Sequence, residues 1–509
     1  EKYESDGLKA SGSGFPDDQV LTNLNSAAKK NSISSSYSSN TLASFLSRLE
    51  YKFNNRYLLT LNFRADGSSQ FGPDKRWGYF PSGAVAWIIT EENFMKDYSN
   101  IVSYLKLRGS VGKTGSQNLG AYDWRTLMGS ATYNGAAGIV PSSLGNDILQ
   151  WEEQIQKEVG LDYGFWDDRI RGTLGYYQKK VDNLLYSDPV PTSSSFSSVY
   201  QNIGSLKNRG IEFDVRVDII KNVQKDLTWN VDFNIARNRT TLEKLNSSDG
   251  YFGGGAYDYF KIEEGGETGR FYGYKDAGRL FMTNEELVGL KTIDPKTGTL
   301  KYYRDDYNYE RQGDVYIMDL DGDGQITADG DRTVIGNANP DFFGGFGSTL
   351  YWKGLMLNAV FSYSVGGDRF WDEEKNSSGD MNVYNTSNRI LDSWTVNPGV
   401  NASYPRAMYY GWGSNSIITD RYIHDASYLR MTALNLSYRL PKHLYKNSIL
   451  NAVEFTFQAT NLFTWTKYPG MDPQGNFSTT YSAFYNMGID YSTYPSARTY
   501  NFGIKLTLK

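Results

Sequence analysis

The chain lacks several features that define common protein classes. Its 509 residues contain no cysteine, which excludes disulfide bridges and thiolate metal sites. Only two histidines occur, His424 and His443, and no hydrolase signature of serine, histidine and aspartate surrounds either. No phosphate-binding loop or dinucleotide fingerprint is present. The formal net charge of -5 gives no basic face for a nucleic acid. We therefore expect a protein that is not an enzyme and that binds no nucleic acid.

Long hydrophobic runs are missing as well. No run of about 18 apolar residues exists, so no transmembrane helix is predicted. A transmembrane strand needs only about 9–11 residues with every second one apolar, and averaged hydropathy misses such a pattern. Proline is scarce with 14 residues, whereas glycine reaches 51 and tyrosine 40, a balance that favours an all-β protein.

The stretch from Gly210 to Ile235 shows the strand pattern most clearly. Apolar and polar residues alternate on both sides of a polar turn at 221–225. Because neighbouring side chains of a strand point to opposite faces, this pattern predicts an antiparallel hairpin with one apolar and one charged face. The charged face carries Glu212, Asp214, Arg216, Asp218 and Asp232.

Variations of this hairpin recur along the chain and amount to about 13 strands. These strands run for about 9–15 residues, longer than the usual ~5–6 of soluble sheets. The connections alternate between short and long, so one end of the sheet receives all the long ones. Outer-membrane barrels have this arrangement, with short periplasmic turns and long extracellular loops. The sequence therefore predicts an all-β, antiparallel transmembrane β-barrel in the outer membrane.

The boundaries follow from the same pattern. Residues 1–40 are rich in Ser, Asn and Gly and are predicted to form an extracellular loop segment, and residues 41–509 to form the barrel. Long outer loops are expected at about 114–149, 240–340, 367–425 and 467–494. Because bacterial single-chain barrels use an even number of strands, an odd count predicts further strands upstream.

Several short motifs are spread from about residue 42 to 509. The longest is NLFTWTKYPG at 461–470, followed by Asp472-Pro473. The others are RADGSSQFG at 64–72, GLDYG at 160–164, NRGIE at 208–212, FYGY at 271–274, and DRTVIGN at 331–337 running into Asn339-Pro340. Together and in this order they resemble the SusC/RagA-type TonB-dependent outer-membrane transporters.

The resemblance implies a 22-stranded barrel with an N-terminal plug, of which this chain would be the C-terminal portion, roughly strands 10 to 22. We expect the plug domain to lie outside this chain, in a plug-bearing N-terminal portion that accompanies it. The resemblance further implies a SusD-like lipoprotein lid, the TonB complex as energy source, and surrounding outer-membrane lipid. The implied activity is import of oligomeric nutrients, with oligosaccharides or other glycans first and peptides second. The charged residues of the hairpin would line the lumen or contact the plug.

The sharpest local motif is the acidic stretch DLDGDGQITADGD at 319–331. Carboxylates at positions 1, 3 and 5, glycine at 6 and isoleucine at 8 match an EF-hand-type calcium loop. Position 12, normally acidic, is Gly330, and we favour Asp331 as the closing ligand. The predicted role of Ca²⁺ is structural, because it would hold one long outer loop together. The predicted ligands are Asp319, Asp321, Asp323, Gln325 and Asp331.

Aromatic loop residues form a second candidate site. Tyr409, Tyr410 and Trp412 lie in a predicted outer loop, where their rings could stack on sugar rings. The alternatives are an interfacial aromatic girdle or contact with the lid protein.

Two other protein classes remain open. One is a calcium-binding all-β surface protein for adhesion or glycan binding, and the other is a β-rich carbohydrate-active enzyme. The enzyme needs a converging acid pair, but Glu152 and Glu153 are strand neighbours that point to opposite faces. The regular alternation of short and long connections argues against both classes.

Overall fold

The computed structural model consists mainly of one 14-stranded antiparallel sheet, which we call the wall sheet. The structure describes residues 1–17, 19–222, 224–245, 251–253, 259–283, 286, 292–293, 300–301, 311–378, 386–396, 398–399, 402–407, 417–446, 449–475, 487–491 and 493–508. The strands of the wall sheet are β1 Lys2–Ser13, β2 Lys29–Phe53, β3 Tyr57–Ser68, β4 Trp77–Ile88, β5 Val102–Ser116, β6 Glu152–Phe165, β7 Ile170–Asp182, β8 Ser205–Asn222, β9 Leu227–Lys244, β10 Phe342–Trp352, β11 Leu355–Val365, β12 Tyr428–Arg439, β13 Leu450–Thr466 and β14 Thr499–Leu508.

The order of the strands in the wall sheet is their order in sequence. Each inner strand pairs with both neighbours, so its backbone N–H and C=O groups are satisfied without water, as a membrane requires. The strand-rich, antiparallel architecture confirms the predicted fold class. None of the described helices is long or apolar enough to span a bilayer.

One face of the wall sheet is apolar across almost its whole width. A single row of directly opposed residues crosses it from β2 to β13, and glycine is its only interruption. The row is Phe53, Tyr57, Trp87, Leu107, Leu161, Leu174, Phe213, Ile235, Gly344, Tyr363, Leu429 and Trp465. Large apolar side chains on this face are exposed, for example Phe502 at 81% and Ile504 at 66%. This is the surface that a lipid bilayer covers.

Tight turns occupy one end of the wall sheet. Asn54 and Asn55 have φ of 49° and 57°, and Lys353 and Gly354 have φ of 45° and 85°. Two consecutive left-handed residues match the twist of a hairpin, which explains the Asn-Asn and Lys-Gly dipeptides. At the same end, short 3-10 helices at Ile89–Glu91 and Asn93–Tyr98 lie between β4 and β5.

The prediction that residues 1–40 form a loop is wrong. Lys2–Ser13 is a strand that pairs with the first part of Lys29–Phe53, and only residues 14–28 connect them. The described residues therefore give the wall sheet 14 strands and not about 13, so the odd count that predicted further strands upstream is wrong. The serine-rich hairpin was missed because polar residues occupy both of its faces, so no alternation marks it.

The long connections gather at the other end and carry their own structure, which we call the loop assembly (residues 245–341, 366–427 and 467–498). Two helices within its described residues are α1 Ala328–Asp331 and α2 Asp372–Ser378. Short strands of the connections are Met128–Tyr133, Ala136–Pro141, Leu185–Pro189, Ser198–Asn202, Tyr251–Gly253, Lys261–Glu263, Arg270–Tyr274, Asp276–Leu280, Thr292–Ile293, Leu300–Lys301, Val315–Ile317, Arg332–Asn337, Asp368–Trp371, Ile423–Asp425 and Ile489–Asp490. The described segments of the chain also form 3-10 helices at Leu24–Ser26, Pro73–Lys75, Thr192–Ser194, Asn388–Asp392, Asp420–Tyr422 and Lys442–Tyr445.

The loop assembly has a hydrophobic core of its own. Tyr259, Phe271, Phe370, Tyr422 and Ile489 are buried together, although they come from three different connections. A mixed three-stranded sheet of Asp368–Trp371, Ile423–Asp425 and Ile489–Asp490 joins two of these connections. The long loops are therefore packed against one another at this end of the wall.

Candidate functional site

The inner face of the wall sheet is polar and carries charges of both signs. The five charged residues predicted to line the lumen, from Glu212 to Asp232, lie on β8 and β9 at positions that alternate with the apolar row. Arg108 pairs with Glu158 and, at 3.2 Å, with Asp162, which Lys106 contacts at 3.1 Å. Arg171 pairs with Asp218 at 3.3 Å. Such a surface is hydrated and offers hydrogen bonds to a polar solute, as a permeation path requires.

Glu374 on α2 is the centre of a buried polar cluster in the loop assembly. Its Oε1 accepts hydrogen bonds from Arg389 Nη1 at 2.7 Å and from the Tyr404 hydroxyl at 3.1 Å. Its Oε2 lies 2.6 Å from Nε2 of His424. Burial, together with the Glu374 carboxylate, raises the pKa of Tyr404 above its usual value. His424 therefore has a carboxylate partner within the loop assembly.

The neighbouring Asp372 connects α2 to a second loop. Its Oδ1 accepts a hydrogen bond from the Tyr259 hydroxyl at 2.5 Å and lies 3.1 Å from Lys375 Nζ. Because Tyr259 belongs to the connection between β9 and β10, this contact joins two loops that are distant in sequence.

The motif at 461–473 anchors the connection between β13 and β14 (residues 467–498), which we call the third loop. Tyr468 donates a hydrogen bond to Asp490 Oδ2 at 2.7 Å. Asp472 accepts one at 2.6 Å from Arg430, which is only 4% exposed. Burial opposes ionisation of Asp472, but Arg430 and two backbone amides outweigh it and hold the pKa of this carboxyl below its usual range. The sequence identified this motif but not the residues that it contacts. The available signal was Arg430, a lone arginine at an inward position of β12.

The acidic loop brings its first three carboxylates together. Asp319, Asp321 and Asp323 each place a carboxylate oxygen within 4.8 Å of the others. Two oxygens bound to one Ca²⁺ at about 2.4 Å lie at most about 4.8 Å apart, so this spacing fits a calcium ion. Gly322 and Gly324 have φ of 77° and 82°, which lets the chain wrap around the carboxylates.

Asp331 closes the same loop from inside the protein. It is fully buried, and its two oxygens accept hydrogen bonds from the amides of Leu320 and Thr327, both at 2.7 Å. Among the described residues, the three clustered carboxylates do not include Asp331. The backbone N–H of Gln325 donates a hydrogen bond to Asp323 Oδ1 at 2.8 Å. Ile326 anchors the loop in a second core, with Leu280, Val315 and Ile317 among its members.

The aromatic candidates Tyr409, Tyr410 and Trp412 lie outside the described residues. His443 lies on the 3-10 helix Lys442–Tyr445 at the opposite, tight-turn end of the wall.

An apolar outer face, a charged inner face and long loops gathered at one end define a β-barrel of the outer membrane. The family model described as TonB dependent receptor-like, beta-barrel matches residues 5–462. The TonB-dependent receptor P3 of Formosa agariphila is 32% identical over 99% of this chain and 49% of its own length. The TonB-dependent receptor SusC of Bacteroides thetaiotaomicron is 32% identical over 92% of this chain and 44% of its own length.

A solved structure described as the RagAB peptide transporter is similar as well. It shares 26% identity and a TM-score of 0.78 over 99% of this chain and 52% of its own chain. The chain belongs to the TonB-dependent receptor family and is of the SusC/RagA type, an outer-membrane protein. It spans about half the length of the curated relatives that it matches. The alternative of a surface adhesion protein receives no support from these relatives.

Proposed function

We propose that this chain forms the C-terminal wall and outer loops of an active importer of oligomeric nutrients. The observation that carries the proposal is the polar inner face, with its charges of both signs, below a folded loop assembly at the outer end. A nutrient would contact the loops first and then pass along the charged wall. A plug-bearing N-terminal portion, a SusD-like lipoprotein lid and the TonB complex would complete the importer.

Oligosaccharides are the first substrate class and peptides the second. The similarity to SusC supports membership of the same transporter type, and the similarity to a peptide transporter supports the second class. Both classes are rich in hydrogen-bonding groups, which suits a wall of paired arginine, lysine and carboxylate side chains.

Uptake by intact cells tests the proposal. Cells with the complete transporter and cells lacking it would receive fluorescent oligosaccharides or oligopeptides, with and without a protonophore that removes the energy for TonB. We expect uptake of one class only, abolished by gene deletion and by the protonophore. Equal uptake with and without the gene, for both substrate classes, would contradict the proposal.

We also propose that Ca²⁺ binds the loop at 319–331 and stabilises it. The clustered oxygens of Asp319, Asp321 and Asp323 support this, because a hard cation prefers several carboxylate and carbonyl ligands at such spacing. Without the ion, the three neighbouring carboxylates would repel one another, next to the buried Ile326.

Limited proteolysis tests the calcium proposal. The complete transporter would be digested under identical conditions with Ca²⁺ and with a chelator. We expect Ca²⁺ at about 100 times its dissociation constant to stabilise the loop by about 2.7 kcal/mol and to slow cleavage there accordingly. Asp321→Asn should remove this protection, whereas Asp74→Asn, an exposed carboxylate of another outer connection, should not. Comparing Asp331→Asn with Asp329→Asn identifies the closing ligand. Cleavage that is indifferent to Ca²⁺ in the wild type would overturn the proposal.

A further inference from the structure

Three cations on the outer face of the wall have no ion-pair partner within the part of the chain that the structure describes. Lys157 on β6, Arg209 on β8 and Arg237 on β9 are all exposed. Each lies two or four residues from the member of the apolar row on its own strand, so each shares the lipid-facing side with residues such as Val159 and Ile211. Among the described residues, none of the three makes an ion pair or a side-chain hydrogen bond.

The strand register places these cations next to one another. Lys157 lies opposite Gln178, and Gln178 lies opposite Arg209 on the next strand. Lys157 and Arg209 are therefore two inter-strand spacings apart, about 10 Å. Arg237 lies opposite Ile211. Ile211 is two residues from Arg209 on β8 and therefore on the same face. The three charges form one patch at the end of the apolar stripe, on the side of the long loops.

Other cations of this face are neutralised, which sets the three apart. Lys180 lies 3.0 Å from Asp182, and Lys207 lies 3.1 Å from Glu243. Arg239 lies 3.0 Å from Asp341. The cations closest to the loops are thus paired with protein carboxylates, whereas the three cations nearer the bilayer have no such carboxylate among the described residues. An unpaired cation on a lipid-facing surface is costly near the midplane and is tolerated at the interface, where anionic head groups lie.

An apolar groove of about 630 Å³ adjoins the patch. It crosses the outer face between Leu61 and Tyr176, and Lys157 is one of its lining residues. The groove exists because Gly109 points outward without a side chain; a Cβ there would meet only the Glu158 carbonyl oxygen, at 3.8 Å. A ligand that has both acyl chains and an anionic head would fill the groove and reach the cations.

We propose that Lys157, Arg209 and Arg237, together with this groove, bind a phosphorylated glycolipid of the outer leaflet. The phosphate groups take the place of the missing carboxylates, and an acyl chain lies along the glycine-lined groove. The groove argues for a lipid over a free phosphate ion, because an inorganic anion has no use for an apolar surface. This site faces the membrane and is independent of which nutrient passes through the lumen.

Lipid binding by the complete transporter, purified from its native outer membrane and delipidated, tests the proposal. The probes are purified lipopolysaccharide, the same lipid after dephosphorylation, and inorganic phosphate alone. The test variant is Lys157→Gln/Arg209→Gln/Arg237→Gln. The matched control, Lys221→Gln/Lys225→Gln/Lys446→Gln, removes three exposed cations at the tight-turn end.

We expect the affinity for lipopolysaccharide to fall about fivefold for each cation removed, hence roughly a hundredfold in the test variant, with little change in the control. Dephosphorylated lipid should bind weakly and equally to all three proteins. Equal lipopolysaccharide binding by the test variant and the wild type would overturn the proposal, and so would tight binding of inorganic phosphate alone.

A second variant makes the test independent of the charges. Gly109→Leu fills the groove and keeps all three charges, and a Cβ at this position meets only the Glu158 carbonyl oxygen. We expect weaker binding of lipopolysaccharide and an unchanged difference between the phosphorylated and dephosphorylated lipid. Unchanged affinity in this variant would exclude the groove as the acyl-chain site.

Discussion

The wall sheet and the loop assembly solve different problems with the same chain. In the wall, every strand pairs with a neighbour in sequence, and large apolar side chains such as Phe502 remain exposed on the lipid side. In the loop assembly, Phe271 and Phe370 are fully buried, and ion pairs join residues as distant as Asp276 and Arg421, 2.6 Å apart.

The difference reflects the two surroundings. A bilayer is as apolar as the side chains that face it, so the wall depends on complete backbone hydrogen bonding and gains little from burying those side chains. The loops lie in water and need a core of their own, as a small soluble domain does. Perturbations should therefore affect the two regions separately.

The largest expected effect lies in the loop assembly. Glu374→Ala removes the buried carboxylate that Arg389, Tyr404 and His424 share, and the loss of these three hydrogen bonds should cost about 3–5 kcal/mol of local stability. Hydrogen exchange measured by mass spectrometry should show lost protection at 366–378 and 417–427, with the wall unchanged. Glu373→Ala, on the same helix but only partly buried, is the control. Simultaneous loss of protection in the wall would contradict the separation of the two regions.

A charge on the lipid side of the wall should have the next largest effect. Leu174→Arg places a guanidinium in the apolar row and should cost about 2–4 kcal/mol, as lipid-facing arginine does near the midplane. Thr173→Arg, one residue earlier, points to the lumen beside Asp214 and should cost less than about 1 kcal/mol. Urea unfolding of the complete transporter in vesicles measures both. Equal costs would mean that this face does not meet lipid.

The smallest effect is a pH dependence confined to the third loop. The pKa of Asp472 is lower in the folded protein than in an unfolded chain, where it is about 3.9. Unfolding at low pH therefore takes up a proton, so this contribution is present above about pH 4 and is lost as the pH falls through the folded pKa. Its size should be about 1.5–3 kcal/mol, as for hydrogen bonds to charged groups.

Asp472→Asn checks that pH dependence. The variant should exchange faster than the wild type at 466–475 at neutral pH, and the two should converge as the pH falls below about 4. Asp6→Asn, an exposed carboxylate on the first hairpin, should follow the wild type throughout. A constant difference between Asp472→Asn and wild type at all pH values would show that the effect is not ionisation.

The wall could be predicted from sequence because its rule is local. Alternation in Ile211 to Val217 is enough to assign both faces, since the period of a strand is two. The rule fails at Lys2–Ser13, where both faces are polar and no alternation exists. The acidic loop was recognisable for the same local reason, because Asp319, Asp321 and Asp323 repeat at fixed spacing.

The glycolipid patch and the loop core could not be predicted in this way. Lys157, Arg209 and Arg237 are scattered in sequence, and only the strand register makes them neighbours. Likewise, nothing near Glu374 indicates that Arg389, Tyr404 and His424 converge on its carboxylate.

By itself, the sequence determined the strands of the wall sheet other than Lys2–Ser13, their two faces, the end that receives the long loops and the family resemblance. All of these follow from side-chain periodicity and from short contiguous motifs. Only the tertiary structure decided which loop residues share a core, which charges find partners and which cations of the outer face are left for the membrane. Those outcomes depend on packing between distant parts of the chain and on hydrogen bonds between residues up to 145 positions apart, and no local pattern encodes such contacts.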